Sequence, residues 1–134
     1  IMPILVDKAM SGEQFTVHGD DYDTIDGTPV RDYTHVFDIA TAHLASLHYL
    51  FDGGESGIFN IGAGSPKSIK QVIAEVEAQT EKTVNVEYGP KREGDAAKTD
   101  ANISKAMDLF GWEPVHSLED IVRSEIEYQT SKNK

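Results

Sequence analysis

The sequence predicts an α/β domain, or in looser form α+β, built from short strands and about five helices, on three observations. Apolar residues recur at helical spacing in some stretches and alternate as in strands in others, and the two kinds of stretch interleave. Glycine and Asp-rich turns separate them. The length, 134 residues, fits a single domain spanning 1–134.

The elements follow in order. Residues 3–11 read as a short helix, with Pro3 at its first position and Gly12 just past its end. Phe15 and Val17 alternate with Thr16 and His18, so 14–18 reads as a strand. Residues 19–29 are turn chemistry. Residues 30–36 are β-branched and aromatic and read as extended. Phe37, Ala40, Leu44, Leu47 and Phe51 then share one helical face, which Gly53-Gly54 ends. Residues 57–61, Gly-Ile-Phe-Asn-Ile, read as a strand buried on both faces. After a Gly/Pro loop, Ser68 and Gln71 form a capping box, and Ile69, Val72, Ile73 and Val76 are the stripe of the helix it opens. Val84, Val86 and Tyr88 alternate as a half-buried strand, and 89–99 is irregular. Ile103 to Phe110 reads as a helix closed by Gly111. Ser117 with Asp120 caps the last helix, whose stripe is Leu118, Ile121, Val122 and Ile126, and the polar tail 129–134 is expected to fray.

Composition narrows the function. Twelve Lys+Arg against 23 Asp+Glu give a net charge of −11. An acidic surface repels phosphate polymers and anionic lipid, so nucleic acid and membrane are not expected partners. There is no cysteine, hence no disulfide framework and no thiolate metal site. No apolar run approaches the length of a membrane span, and no secretory signal opens the chain, which fits a cytoplasmic protein. The first residue, Ile1, is not an initiator Met, which reads as a fragment or a processed product.

Four constellations carry candidate chemistry. Asp20, Asp21, Asp23 and Asp26 cluster, but counting from Asp21 puts Ile25, Asp26 and Asp32 at positions five, six and twelve, where a calcium loop needs an oxygen ligand, Gly and Glu. A solvated turn is the simpler reading. Gly62-x-Gly64 sits between the strand and helix readings, the context of a dinucleotide turn, yet Lys67 occupies the third glycine position, which leaves a tight turn as the alternative. His43 and His48 are five apart, off a shared helical face, and His18, His35 and His116 are scattered, so no metal site is expected. Arg31 and Arg92 lie in turn-rich segments, and a guanidinium fork matches phosphate oxygens. Each arginine either meets an anionic ligand or pairs with a neighbouring Asp.

The run from Gly19 to Val36, with Arg31-Asp32-Tyr33 at its heart and Asp38 and Ala40-x-x-His43 after it, resembles UDP-glucose 4-epimerase (UDP-galactose 4-epimerase), of the extended short-chain dehydrogenase/reductase family. Ile58-Phe59-Asn60-Ile61-Gly62-x-Gly64, Lys91-Arg92-Glu93-Gly94-Asp95, Ser104-Lys105-Ala106 and Leu109-Phe110-Gly111-Trp112 agree with it. So do Ser117-Leu118-Glu119-Asp120 and Tyr128-Gln129. The resemblance covers essentially the whole chain, and only the C-terminal, substrate-binding part of that family. The family's NAD-binding glycine turn and its catalytic Tyr-x-x-x-Lys pair are not matched. Tyr128 and Lys132 alone fit the bare spacing, at the end of the chain, where the family does not place its pair.

For the intact enzyme the resemblance implies interconversion of UDP-glucose and UDP-galactose through an NAD-dependent 4-keto intermediate, with NAD held by the N-terminal Rossmann domain missing from this chain. This chain, inactive by itself, would grip the UDP-sugar. Position in the motifs implies that Arg31 and Arg92 contact the diphosphate, Asp95 the ribose and Tyr33 the sugar side, with Thr16 and His18 along the uracil. Thr99 stands where family members carry either a bulky aromatic or a small residue, and a small residue is associated with room for UDP-N-acetylhexosamines. The expected catalytic, cofactor-binding and metal residues within the chain are none. Two other readings stand beside this one: a non-catalytic nucleotide-binding or interaction module, and a related NAD-dependent sugar-nucleotide dehydratase or decarboxylase. A missing domain would also leave an apolar surface bare along Phe37, Ala40, Leu44, Leu47 and Phe59, through which the fragment would self-associate.

Overall fold

A computed structural model describes residues 1–132. In chain order the elements are α1 (Met2–Ser11), β1 (Phe15–His18), β2 (Val30–Arg31), α2 (Val36–Phe51), β3 (Lys67–Ser68), α3 (Ile69–Thr80), β4 (Val86–Gly89), α4 (Ser104–Phe110) and α5 (Leu118–Lys132). The α/β class with five helices and few, short strands is as the pattern predicts.

The main core forms where α1, α3 and α5 pack on one another and against β1. Leu5, Val6, Val17, Val72, Val76 and Val122 are fully enclosed there. Leu5 and Val6 recur with Met2 and Ala9 on one side of α1, and Val72 and Val76 are a turn apart on α3, so each helix gives this core one face. β1 and β4 pair in parallel, Phe15 opposite Val86 and His18 opposite Gly89. Alternation along β1 sends Phe15 and Val17 into the core and leaves Thr16 and His18 half-buried on its other side.

β2 is a second, smaller hub. It pairs antiparallel with β3, Val30 opposite Ser68, and Val30 also bridges Lys98. The Val30 N–H donates to Ala97 O at 2.8 Å, and its carbonyl accepts from Thr99 N–H at 3.0 Å. Three distant stretches thus meet at one residue.

The helix ends follow their capping residues. Ser68 Oγ accepts from Gln71 N–H at 3.2 Å, and Gln71 Oε1 accepts from Ser68 N–H at 2.9 Å, the reciprocal box expected for α3. Ser117 and Asp120 make the same exchange before α5. Gly12 and Gly111 close α1 and α4.

Three expectations are corrected. Residues 57–61 form no strand: Ile58 is 89 % exposed, and the third strand is the Lys67–Ser68 pair instead. An apolar run does not show by itself which neighbours will cover it. Residues 129–132 do not fray but continue α5, where Gln129 Nε2 donates to Pro3 O at 2.7 Å and ties the turn to α1; residues 133–134 lie outside the described part. The extended stretch 30–36 is strand only at Val30–Arg31, and α2 begins at Val36.

The side of α2 read as its apolar face points outward. Phe37 is 65 % and Phe51 78 % exposed, with Leu44, Leu47 and Leu50 also exposed. Asp38 and Ala42 are the residues α2 buries. Ala42 joins Ala106 and Trp112 in a small cluster against α4, and Trp112 Nε1 donates to Thr41 Oγ1 at 3.0 Å.

Candidate functional site

A groove of about 610 Å³ runs along the outer side of β1, and its lining includes Thr16, His18, Arg31, Tyr33, Arg92 and Asp95. The fold accounts for the convergence. β1 supplies Thr16 and His18 by alternation. The chain leaving β4 turns at once toward the groove, with Gly19 N–H bonded to Gly89 O at 2.9 Å, and carries Arg92 and Asp95. β2 and the residues after it bring Arg31 and Tyr33. Thr99 is not on this lining: it borders an adjoining cavity of about 350 Å³ that shares Arg31 with the groove.

The arginines decide what the groove suits. Neither Arg31 nor Arg92 makes an ion pair among the described residues, whereas Arg123 on α5 holds Glu119 and Asp120 at 2.6 and 3.0 Å. Arg31 Nη1 donates only to Val30 O, at 2.8 Å. Of the two alternatives for these arginines, pairing with a neighbouring Asp is thus not what forms. Two unpaired guanidinium groups beside one groove suit an anion with several oxygens. The Tyr33 hydroxyl is buried with no hydrogen-bond partner among the described residues. Burial pushes its pKa upward, and the nearby Arg31 charge opposes that rise, so the phenol stays neutral and able to donate.

Sequence reasoning missed Ile4, Lys8 and Ile69 on the groove wall. An available signal was Ile4, an exposed apolar residue off the buried face of α1.

The other constellations serve the fold. In the acidic turn, Asp26 Oδ1 accepts from Thr28 N–H and Oγ at 3.0 and 2.6 Å, and Asp26 Oδ2 accepts from the buried Ser68 hydroxyl. Burial works against the Asp26 charge, but these hydrogen bonds outweigh it and hold the carboxyl below its usual pKa. Gly27 is left-handed, and a Cβ there would meet Asp20 O at 2.0 Å. No cluster of three metal-ligating side chains occurs among the described residues.

The Gly62-x-Gly64 turn is engaged from within. Asp32 Oδ1 accepts from Ala63 N–H at 2.9 Å and Asp32 Oδ2 from Gly64 N–H at 3.4 Å. A carboxylate of the chain occupies the place where a dinucleotide turn would meet pyrophosphate, so these residues do not fit NAD. Tyr128 and Lys132 lie on α5, with Lys132 Nζ 4.3 Å above the Tyr128 ring, and neither is on the groove lining.

One cluster went unseen in the sequence. His35 caps α2 by accepting Phe37 N–H at Nδ1 (3.1 Å), and its Nε2 lies 3.2 Å from Ser124 Oγ on α5. The His116 ring stacks on it at 4.1 Å and donates from Nδ1 to Asp38 at 2.7 Å. Asp38, 1 % exposed, also accepts the Val115 and His116 backbone N–H groups, both at 3.2 Å. Burial opposes the Asp38 charge, yet these bonds keep its pKa below the usual value. Burial and the neighbouring His116 push the His35 pKa down. The cluster joins α2 to α5.

Comparison with known proteins agrees with the motifs. The sequence model of the NAD dependent epimerase/dehydratase family matches residues 1–62. A UDP-glucose 4-epimerase of Rhizobium leguminosarum bv. trifolii is 40 % identical over 134 residues, which are 99 % of this chain and 41 % of that relative. The crystal structure of UDP-glucose-4-epimerase from Stenotrophomonas maltophila, with bound NAD and formylated UDP-arabinopyranose, superposes with a TM-score of 0.94 at 37 % identity, over 98 % of this chain and 40 % of that one. The UDP-Glc/GlcNAc 4-epimerase of Campylobacter jejuni superposes at 0.88 with 36 % identity, over 97 % of this chain and 40 % of that one. The chain is therefore similar throughout to UDP-glucose 4-epimerases, and it spans about 41 % of the length of the curated relatives it matches.

Proposed function

We propose that these 134 residues are the UDP-hexose-gripping part of a UDP-glucose 4-epimerase, the intact protein interconverting UDP-glucose and UDP-galactose. One observation carries the reading: Arg31 and Arg92, which make no ion pair among the described residues, line the same groove as Thr16, His18, Tyr33 and Asp95. In this assignment the two guanidinium groups hold the diphosphate. Asp95 accepts from ribose hydroxyls, Thr16 and His18 border the uracil, and the unpartnered Tyr33 hydroxyl faces the sugar. The similarity to epimerases crystallised with NAD and a UDP-sugar supports the assignment.

The reaction at C4 requires a hydride acceptor and donor, which NAD provides when bound; its place is outside these residues, since the one glycine turn of suitable context holds Asp32. The task left to this chain is binding. A firm hold on the non-reacting UDP localises the sugar while leaving it free to present either face, which is how remote binding energy assists a reaction at another atom. The Asp32 carboxylate held in the Gly62-x-Gly64 turn and the position of Tyr128 and Lys132 on α5, off the groove lining, support the reading that this chain is inactive by itself.

UDP titrated into the chain, followed by calorimetry or amide NMR, tests the reading. Saturable binding is expected, with Arg31→Ala or Arg92→Ala weakening it about tenfold or more, the scale of a charge-assisted contact of about 1.5–3 kcal/mol. Shifts should map to β1, β2 and residues 89–95. Binding that ignores both arginines would defeat the assignment, and epimerase turnover by this chain with NAD would defeat the division of labour.

A further inference from the structure

The Gly62-x-Gly64 turn is shaped as an anion cradle whose anion is Asp32. Besides the Ala63 and Gly64 amides, Asp32 Oδ2 accepts from Ala101 N–H at 3.3 Å. A Cβ on Gly62 would stand 2.4 Å from Asp32 Oδ2 and 2.8 Å from Ala101 Cβ, so only glycine admits the carboxylate. In the extended stretch after β2, successive side chains face opposite ways. Arg31 and Tyr33 line the groove, while Asp32 lies off that lining, in the adjoining cavity that Arg31 also borders, among Asn60, Gly62, Thr99 and Ala101. Asp32 therefore grips two separate segments, 62–64 and 99–101, from the residue next to Arg31.

We infer that Asp32 is a positioning residue: its carboxylate clamps both segments to β2, and its commitment to backbone amides keeps Arg31 free to meet the ligand's diphosphate. The inference rests on the nucleotide-gripping role proposed above. Its physical basis is competition. Asp32 and Arg31 both border the adjoining cavity, so a carboxylate released from its amides has the guanidinium within its reach. Hydrogen bonds from three amides to a charged acceptor are strong enough to hold it elsewhere. The same bonds fix the segment carrying Thr99, so the wall of the adjoining cavity depends on this carboxylate too.

The test compares UDP and uridine binding to the chain and to Asp32→Ala and Asp32→Asn, with amide NMR alongside. In Asp32→Ala, UDP affinity is expected to fall about tenfold while uridine affinity stays within about twofold, because the diphosphate contact alone is misplaced. The Ala63, Gly64 and Ala101 amides shift and exchange faster, and excess formate, which fits the cradle, restores both signals and affinity. Asp32→Asn, keeping one acceptor oxygen, falls between. Equal losses for UDP and uridine would reduce Asp32 to a structural residue and overturn the inference, as would unchanged UDP affinity with the amides released. Should the unaltered chain fail to bind UDP, the nucleotide reading falls by itself. The clamp is then judged on the Arg31 Nε–H signal, which must move in Asp32→Ala for it to stand.

Discussion

α1 and α2 carry the same kind of apolar stripe and meet opposite fates. On α1, Met2, Leu5, Val6 and Ala9 close against α3, α5 and β1. On α2, Phe37, Leu44, Leu47 and Phe51 face outward, while the inward side holds Asp38 and Ala42. Helical periodicity tells which face asks to be buried; it does not tell what buries it. An exposed apolar face favours association, and the expectation that this chain self-associates through it is open to test. That agrees with relatives of which this chain spans only about 41 %.

Two substitutions break the comparison most sharply. Leu5→Ala removes a fully enclosed side chain and should cost about 2–5 kcal/mol. Leu44→Ala, at a residue 57 % exposed, should change stability by less than about 0.5 kcal/mol. Urea unfolding midpoints read both, and a large loss from Leu44→Ala would mean that the face is already covered. Sedimentation sharpens the point: the chain should associate with rising concentration, and Leu44→Glu should abolish that. A clean monomer at all concentrations with little dye binding would contradict the exposed-face reading.

Acid probes the seam that ties the two helical regions together. The His35 pKa is lowered from an ordinary 6.5, so the unfolded chain takes up a proton that the folded chain resists. Stability is therefore fully present above pH 6.5 and declines as pH falls from there toward the folded pKa. Protonation at Nδ1 also replaces the acceptor that caps α2 with a donor. The groups facing His35 are Asp38 on α2, His116 before α5 and Asp120 on α5. Asp38, whose pKa is lowered from 3.8, adds its own loss only below that value. His35→Asn keeps a capping oxygen and removes the titration, so its melting temperature should fall less than that of the unaltered chain between pH 7 and 5. Parallel curves would mean that His35 does not titrate in that range.

The elements and the groove differ in how far the sequence reveals them. α1, α3 and the starts and ends of their neighbours were legible because capping is local: Ser68 with Gln71 and Ser117 with Asp120 need only three residues of chain. Residues 57–61 were misread because their apolarity answers to something other than a sheet within this chain. Six residues of the groove lining were named by resemblance; they span 79 positions, Thr16 to Asp95, and no local pattern brings them together. Asp32 and the His35–His116–Asp38 cluster were invisible for the same reason. Each depends on partners tens of residues away, Ala101 in one case and Ser124 in the other.

The most local expected effect lies at Thr99, on the groove side of the molecule rather than the α2 side. Thr99 is exposed, its backbone held by Val30, and it borders the cavity that shares Arg31 with the groove. We propose that this small side chain leaves room for an N-acetyl group, so that the intact protein accepts UDP-N-acetylhexosamines as well as UDP-glucose and UDP-galactose; the similarity to a UDP-Glc/GlcNAc 4-epimerase supports it. Thr99→Tyr narrows the cavity while leaving both Arg31 and Arg92 in the sequence. In the full-length protein it should lower kcat/KM for the N-acetylated pair about tenfold, the scale on which a bulkier wall discriminates, and leave the simple hexoses nearly unchanged. Equal loss of both activities would assign Thr99 to general packing, and an unaltered protein inactive on N-acetylated sugars would remove the proposal, because the room at Thr99 would then serve no such substrate.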